Sequence, residues 1–168
     1  MRGNIEHYAA MFSDITALKE NQQQLERVAH YDLLTGLPNR LLLGDRLKQA
    51  IAQTRRRGMH LAVVFIDLDG FKKVNDQHGH AVGDKLLSVL SRRMTQVLRE
   101  GDTLARLGGD EFVAVLVDLP DVSISVPILG RLIEVAAQPV PIGDALCEVS
   151  ASIGVSYYPQ GEDIDADQ

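Results

Sequence analysis

The chain has a single cysteine, Cys147, in 168 residues. No intramolecular disulfide can form, which fits a reducing, cytoplasmic setting, and a lone thiol inside a strand-like stretch reads as packing rather than as a nucleophile. No apolar run approaches the ~20 residues that a membrane span needs, so no membrane partner is expected of this segment. The opening residues MRGNIEHYAA hold no apolar stretch before their first acid, so no secretory leader is expected. Excess positive charge is missing too: 17 Lys+Arg against 23 Asp+Glu give a net charge of −6. A nucleic-acid binder carries the opposite sign or a long basic stripe, so that class is set aside. The dense basic cluster Arg55, Arg56 and Arg57, just before Gly58, reads better as a solvated helix C-terminus than as a phosphate patch. Internal repeats and low-complexity tracts are absent.

What remains is one domain's worth of chain, long enough to bury a core. Residues 7–14, HYAAMFSD, alternate weakly and read as a short strand. Ile15 to Ala29 reads as a helix in which Ile15, Leu18, Leu25 and Ala29 take coiled-coil a/d spacing, with polar Gln22 in one core slot. A dimerising coiled coil and a plain linker helix fit that stretch equally well. A second helix follows Leu37-Pro38-Asn39, with Asn39 as N-cap and Leu43, Leu47, Ala50 and Ile51 on one face. The unbroken apolar run Leu61 to Ile66 predicts a central strand covered on both sides.

Asp84 to Leu98 is amphipathic, with Leu86, Leu87, Leu90, Met94, Val97 and Leu98 inward. Strands Thr103 to Leu107 and Glu111 to Val117 are joined by a glycine turn at Gly108-Gly109-Asp110. Ser125 to Ala137 reads as a helix that tolerates Pro127 in its first turn, and Gly143-Asp144 turns a second hairpin. In the last strand Val149, Ala151, Ile153, Val155 and Tyr157 share a face. Helices gathered on a largely antiparallel sheet make an α+β domain.

Two acidic clusters carry the chemistry. Phe65-Ile66-Asp67-Leu68-Asp69 ends a buried strand in carboxylates, and Asp67 and Asp69 point the same way if the strand stays extended. Such oxygens suit magnesium, although by themselves strand-end acids more often cap the next helix. Gly108-Gly109-Asp110-Glu111-Phe112 is harder to explain as structure alone, because a turn does not need two adjacent charges. A cation or a ligand's donor would relieve their repulsion, and the glycines would admit a bulky ligand to the backbone. Two other patterns are set aside. Gly79 to Lys85 has one residue too few between its glycines for a phosphate-binding Walker loop, with Leu86 where Ser or Thr belongs. His78 and His80 have no cysteine pair or third histidine to make a zinc site.

Together, three blocks resemble the diguanylate cyclase family, named for its GGDEF motif: Asp32 to Arg40 (DLLTGLPNR), Phe65 to Leu87 (FIDLDGFKKVNDQHGHAVGDKLL) and Ala105 to Phe112 (ARLGGDEF). The likeness covers about residues 27 to 160. It implies a two-layer nucleotidyl-cyclase-like (ferredoxin-like) domain with a central sheet of about five strands. Residues 1–14 would be the last strand of a truncated PAS sensor domain, 15–30 its signalling helix, and 31–168 the cyclase domain.

In that family each domain binds one GTP, and two domains join their GTPs into cyclic di-GMP, releasing two pyrophosphates. The resemblance implies magnesium (or manganese) held by Asp67, Glu111 and the backbone carbonyl of Leu68, in the manner of two-metal phosphoryl transfer. By the same resemblance Asp110 would be the remaining active-site acid, either sharing a metal or receiving the proton. Asn75 and Asp84 match the guanine readers. An aspartate accepts from guanine's ring N–H and exocyclic amine, a pattern adenine does not offer, so discrimination against ATP is expected to rest more on Asp84. Lys72, beside the backbone N–H groups of Gly70 and Phe71, matches the phosphate contact, with Gly70 replacing an aromatic found in some relatives.

Arg99-Glu100-Gly101-Asp102 matches the family's RxxD motif, at which cyclic di-GMP inhibits its own synthesis, and Arg131 matches a secondary arginine there. A homodimer is implied, since the product is two-fold symmetric. Gln138 to Asp163 resembles cyclase domains that precede an EAL-type phosphodiesterase, so a rival reading is a silent module that senses GTP or cyclic di-GMP for such a neighbour. The family continues past the position of Gln168 with another helix that holds phosphates, so impaired GTP affinity or turnover is expected of this piece alone.

Overall fold

A computed structural model describes residues 3–160, with side chains described from Met11 onward. Residues 1–2 and 161–168, the outer ends of the expected sensor remnant and cyclase domain, lie outside the described residues. The chain begins with helix α1 (Gly3–His30) and helix α2 (Arg40–Arg57), followed by strand β1 (His60–Asp69). Helices α3 (Phe71–His78) and α4 (His80–Val97) come next, then the hairpin of β2 (Thr103–Gly108) and β3 (Glu111–Leu119). A 3-10 turn (Val122–Ile124) leads to α5 (Ser125–Ala137), and β4 (Val140–Ile142), β5 (Ala145–Cys147) and β6 (Ser150–Tyr158) complete the described elements.

The strands form an antiparallel sheet in the order β2-β3-β1-β6, while β4 and β5 pair only with each other. From β1 onward this is the split βαββαβ arrangement of ferredoxin-like domains, and the expected α+β class holds. The sheet has four strands rather than about five because the hairpin turned at Gly143 is only three residues long on each side and stands apart.

Two layers cover the sheet. On one face Ala62, Val64, Ile66 and Leu68 of β1, with Phe112, Ala114 and Leu116 of β3, pack in a single core with Leu86, Leu90 and Met94 of α4 and Leu132 of α5. Each large apolar side chain shielded in this way contributes about 1.5–3 kcal/mol. On the other face α2 lays Leu43, Leu47 and Ala50 over Val63, Ala105, Val113 and Val115. That cover is partial. β1 is central, as its apolar run predicts, but it is not buried on both sides throughout: Phe65 is 54% exposed and Asp67 and Asp69 are open. The uncovered half of this face is where the acids emerge.

Residues 7–14 are helical, not the expected strand, since α1 runs unbroken from Gly3 to His30. The alternation in HYAAMFSD is weak, Ala-Ala-Met favours helix, and a lone strand would leave its backbone groups unpaired, whereas a helix pairs them internally. Ile15, Leu18, Leu25 and Val28 on α1 are exposed. Among the described residues no helix is long and apolar enough to cross a membrane.

Asn39 joins α1 to α2. Its Oδ1 accepts the Leu42 backbone N–H at 3.1 Å, capping α2, while its Nδ2 donates to the Ala29 carbonyl at 2.8 Å. At the other end of α2, Gly58 turns left-handed at φ 63°. There Arg57 pairs with Asp118 at 2.8 Å and Arg55 donates to the Tyr158 hydroxyl, so the basic cluster does fasten a helix C-terminus. Asn39→Ala is expected to cost about 1–2 kcal/mol in urea denaturation, and hydrogen exchange should quicken in the last turn of α1. Unchanged values for both would show that neither bond contributes.

Candidate active site

The register of β1 on β3 sets Val63 opposite Val115, Phe65 opposite Val113 and Asp67 opposite Glu111. Directly opposed residues project to the same side of a sheet. The Asp67 and Glu111 side chains therefore leave the same face side by side, at the uncovered end of the strands. The glycines of the turn have φ of 147° (Gly108) and 50° (Gly109), values that residues with a Cβ rarely adopt. This turn folds Asp110 back over β1: its carbonyl accepts the Leu68 N–H at 3.3 Å, and its carboxyl lies in hydrogen-bonding contact with that of Asp67.

The pKa of Asp67 is accordingly held above the ordinary aspartate value. Desolvation at the strand end is the first cause, followed by the charge and hydrogen bond of Asp110 and the charge of Asp69, with the Leu68 N–H acting in the opposite sense. Crowded carboxylates on an open strand end fit a hard divalent cation, whose charge would relieve the repulsion. Among the described residues no three Asp, Glu, His or Cys side chains form a closed metal cage. A magnesium-type ion does not require one, since it keeps waters and substrate phosphates in its shell. Beside the acids a cleft opens, lined by Phe65, Asp67, Leu107, Glu111, Ser152 and Gly154.

The turn is held from behind by Arg106. Its Nε donates to the Gly109 carbonyl at 3.0 Å, and its Nη1 donates to both carboxylate oxygens of Asp32, at 2.9 and 3.1 Å. Its own N–H donates to the Pro38 carbonyl at 3.0 Å. Asp32 also accepts from the N–H and hydroxyl of Thr35, at 2.9 and 2.7 Å. The segment before α2 and the glycine turn are thus one hydrogen-bonded unit. Both residues lie inside sequence motifs, Asp32 to Arg40 and Ala105 to Phe112, that assign neither of them a role. The partners are 74 positions apart, and no spacing within either motif announces the pairing.

Asn75 is half-buried on α3, and its amide lies against Gly83, the neighbour of exposed Asp84 on α4, so the two expected base readers sit together. Exposed Lys72 stands in the first turn of α3 behind Gly70, whose φ is 88° and which offers no side-chain cap to the helix N–H groups. Phe71 is buried and serves the core as well as offering its N–H.

The Arg99–Asp102 turn differs from its sequence-based expectation. The Asp102 side chain is fully shielded; Oδ1 accepts the Val117 N–H at 3.0 Å and Oδ2 the Arg99 N–H at 2.9 Å. Arg99 is about half exposed and donates to the Val117 carbonyl at 2.7 Å. Asp102 thus braces the turn, and Arg99 is the half of the pair that faces solvent. Arg131 is exposed on α5, and among the described residues nothing pairs it with Arg99 or Asp102.

A family model described as "Diguanylate cyclase, GGDEF domain" matches residues 29–168. The bifunctional diguanylate cyclase/cyclic di-GMP phosphodiesterase MucR of Pseudomonas aeruginosa is 44% identical over 144 residues, 86% of this chain. The chain spans only 21% of that relative's length. The crystal structure of a sensory box/GGDEF family protein from Caulobacter crescentus has a TM-score of 0.75 at 45% identity, covering 77% of this chain and 84% of that one. The coiled coil and GGDEF domain of DgcB from Caulobacter crescentus, in complex with c-di-GMP, has a TM-score of 0.80 at 24% identity. It covers 93% of this chain and 83% of that one, a likeness of fold alone.

Burial acts to raise the Asp32 pKa, but the Thr35 hydrogen bonds and the Arg106 guanidinium outweigh it and leave the value below 3.8. A depressed folded pKa contributes stability above the unfolded value that is lost as pH falls through the folded one. Asp32→Asn should therefore be less stable by about 1–3 kcal/mol at neutral pH. The deficit should close as pH drops below about 3.8, as followed by urea denaturation across pH. A deficit that stays constant with pH would remove the ionic contribution.

Proposed function

The chain belongs to the diguanylate cyclase GGDEF-domain family, and from that premise we propose that it condenses two GTP molecules into cyclic di-GMP. The observation that carries the reading is the side-by-side pair Asp67 and Glu111, with the Asp110 carboxyl against Asp67. In each half of the reaction the 3′-hydroxyl of one GTP attacks the α-phosphate of the other; a phosphodiester bond forms and the bond to pyrophosphate breaks. Asp67, Glu111 and the Leu68 carbonyl would hold magnesium or manganese ions, which when bound neutralise phosphate charge and lower the pKa of the attacking hydroxyl. Asp110, in contact with Asp67, belongs to the same charge cluster. Asn75 and Asp84 read guanine, and Lys72 with the N–H groups of Gly70 and Phe71 receives phosphate.

Two copies are needed, because each domain supplies one GTP to a symmetric product. The exposed apolar residues Ile15, Leu18, Leu25 and Val28 of α1 support pairing through that helix. The sensory box in the name of the Caulobacter relative supports a PAS domain upstream. Arg99 is the contact for cyclic di-GMP acting as inhibitor, with Asp102 holding the turn that presents it and Arg131 as a secondary contact.

A second reading, a silent sensor of GTP or cyclic di-GMP serving an EAL-type phosphodiesterase, is favoured by the bifunctional name of MucR. The acids at positions 67, 110 and 111 favour the enzyme over a sensor of cyclic di-GMP, which has no need of them. In the longer protein with GTP and magnesium, Glu111→Gln should lower pyrophosphate release about 100-fold or more. Unchanged turnover would remove the metal assignment, and a parent protein that binds GTP without forming product would establish the sensor. Titration with cyclic di-GMP should show at least about tenfold weaker binding in Arg99→Ala; equal affinity would retire the inhibitory site.

A further inference from the structure

Gly83 lies in the second turn of α4, where a glycine weakens a helix relative to alanine, and its φ is not left-handed, so conformation gives no reason for it. Space does. A Cβ placed on Gly83 would overlap Asn75 Oδ1, lie 2.9 Å from Asn75 Cγ and 3.3 Å from Phe71 Cζ. By contrast, Gly44 in α2 would meet nothing within 4 Å. α3 and α4 approach one another at this point, with Phe71 and Gly83 both buried. Asn75 Oδ1 is itself buried and, among the described residues, has no hydrogen-bond partner. No hydrogen bond therefore anchors that end of the amide; the flat surface left by a missing side chain, and the Phe71 ring beside it, determine where it lies.

We infer that Gly83 is a positioning residue that sets the orientation of the Asn75 amide and, through it, the reading of the guanine base. The inference rests on the assignment of Asn75 as a base reader and adds the residue on which its geometry depends. Any side chain at position 83 turns the amide away, so a change on the buried side of α4 loses selectivity without touching a nucleotide. The glycine that spoils a Walker loop in this stretch acquires a role of a different kind: it admits a neighbouring side chain, not a phosphate.

The test is a double-variant cycle on Gly83→Ala and Asn75→Ala in the full chain, with Gly44→Ala as a helix glycine that touches nothing. Gly83→Ala should lower the melting temperature in the parent but not in Asn75→Ala, where the space has been cleared, and Gly44→Ala should not lower it. The Asn75 side-chain amide resonance should move in Gly83→Ala and stay in Gly44→Ala. Binding of a non-hydrolysable GTP analogue with magnesium should weaken about tenfold in Gly83→Ala and in Asn75→Ala, and the double variant should be no weaker than Asn75→Ala. An equal melting loss in both backgrounds, or an unmoved amide resonance, would overturn the positioning role. If Asn75→Ala binds the analogue as the parent does, the guanine reading fails instead, and the melting cycle and resonance still decide what Gly83 does.

Discussion

The antiparallel register of β1 on β3 is the constraint on which the site depends. With Val63 against Val115 and Phe65 against Val113, Asp67 has to stand opposite Glu111. A slip of one residue would turn the whole of β1 over, moving Ala62, Val64, Ile66 and Leu68 out of the core and the carboxylate to the wrong face. The register is thus maintained by many apolar contacts, each favourable, and the acids take their positions from it. This division matters because the acids gain nothing from standing together: after desolvation, the neighbouring charges of Asp110 and Asp69 act to raise the pKa of Asp67. An arrangement unfavourable in itself persists where the surrounding packing over-determines it.

The glycine turn has a second support besides the strand register. Arg106 supplies this from beneath, tying the Gly109 carbonyl to the Asp32 carboxylate while its main chain holds Pro38. A planar, permanently charged guanidinium suits three separate acceptors better than a lysine could.

Much of this was legible from residues alone, and the exceptions have physical causes. The two acidic clusters were readable because glycines and carboxylates together make little sense as a turn. The caps, helix faces and hairpins were readable because each is a local pattern, from the Asn39 cap of α2 to the alternation in β6. Residues 7–14 misled, since weak alternation cannot reveal whether a neighbouring strand exists to pair with. The half-open face of β1 escaped notice because an apolar run does not show how far a covering helix extends; α2 reaches Val63 but not Phe65. Asp32–Arg106 escaped for a similar reason, being a contact between segments distant in sequence. Asp102 was read as a ligand contact, yet both its oxygens are engaged within the fold.

The same bonds connect the end of α1 to the glycine turn. Its last turns give carbonyls to Asn39, the segment from Tyr31 to Asn39 folds about Asp32, and Asp32 grips the arginine that holds the glycine turn. A rotation of the α1 end therefore either breaks the Asn39 bonds or carries the loop with it, and a shift of the loop strains the Arg106–Asp32 ion pair.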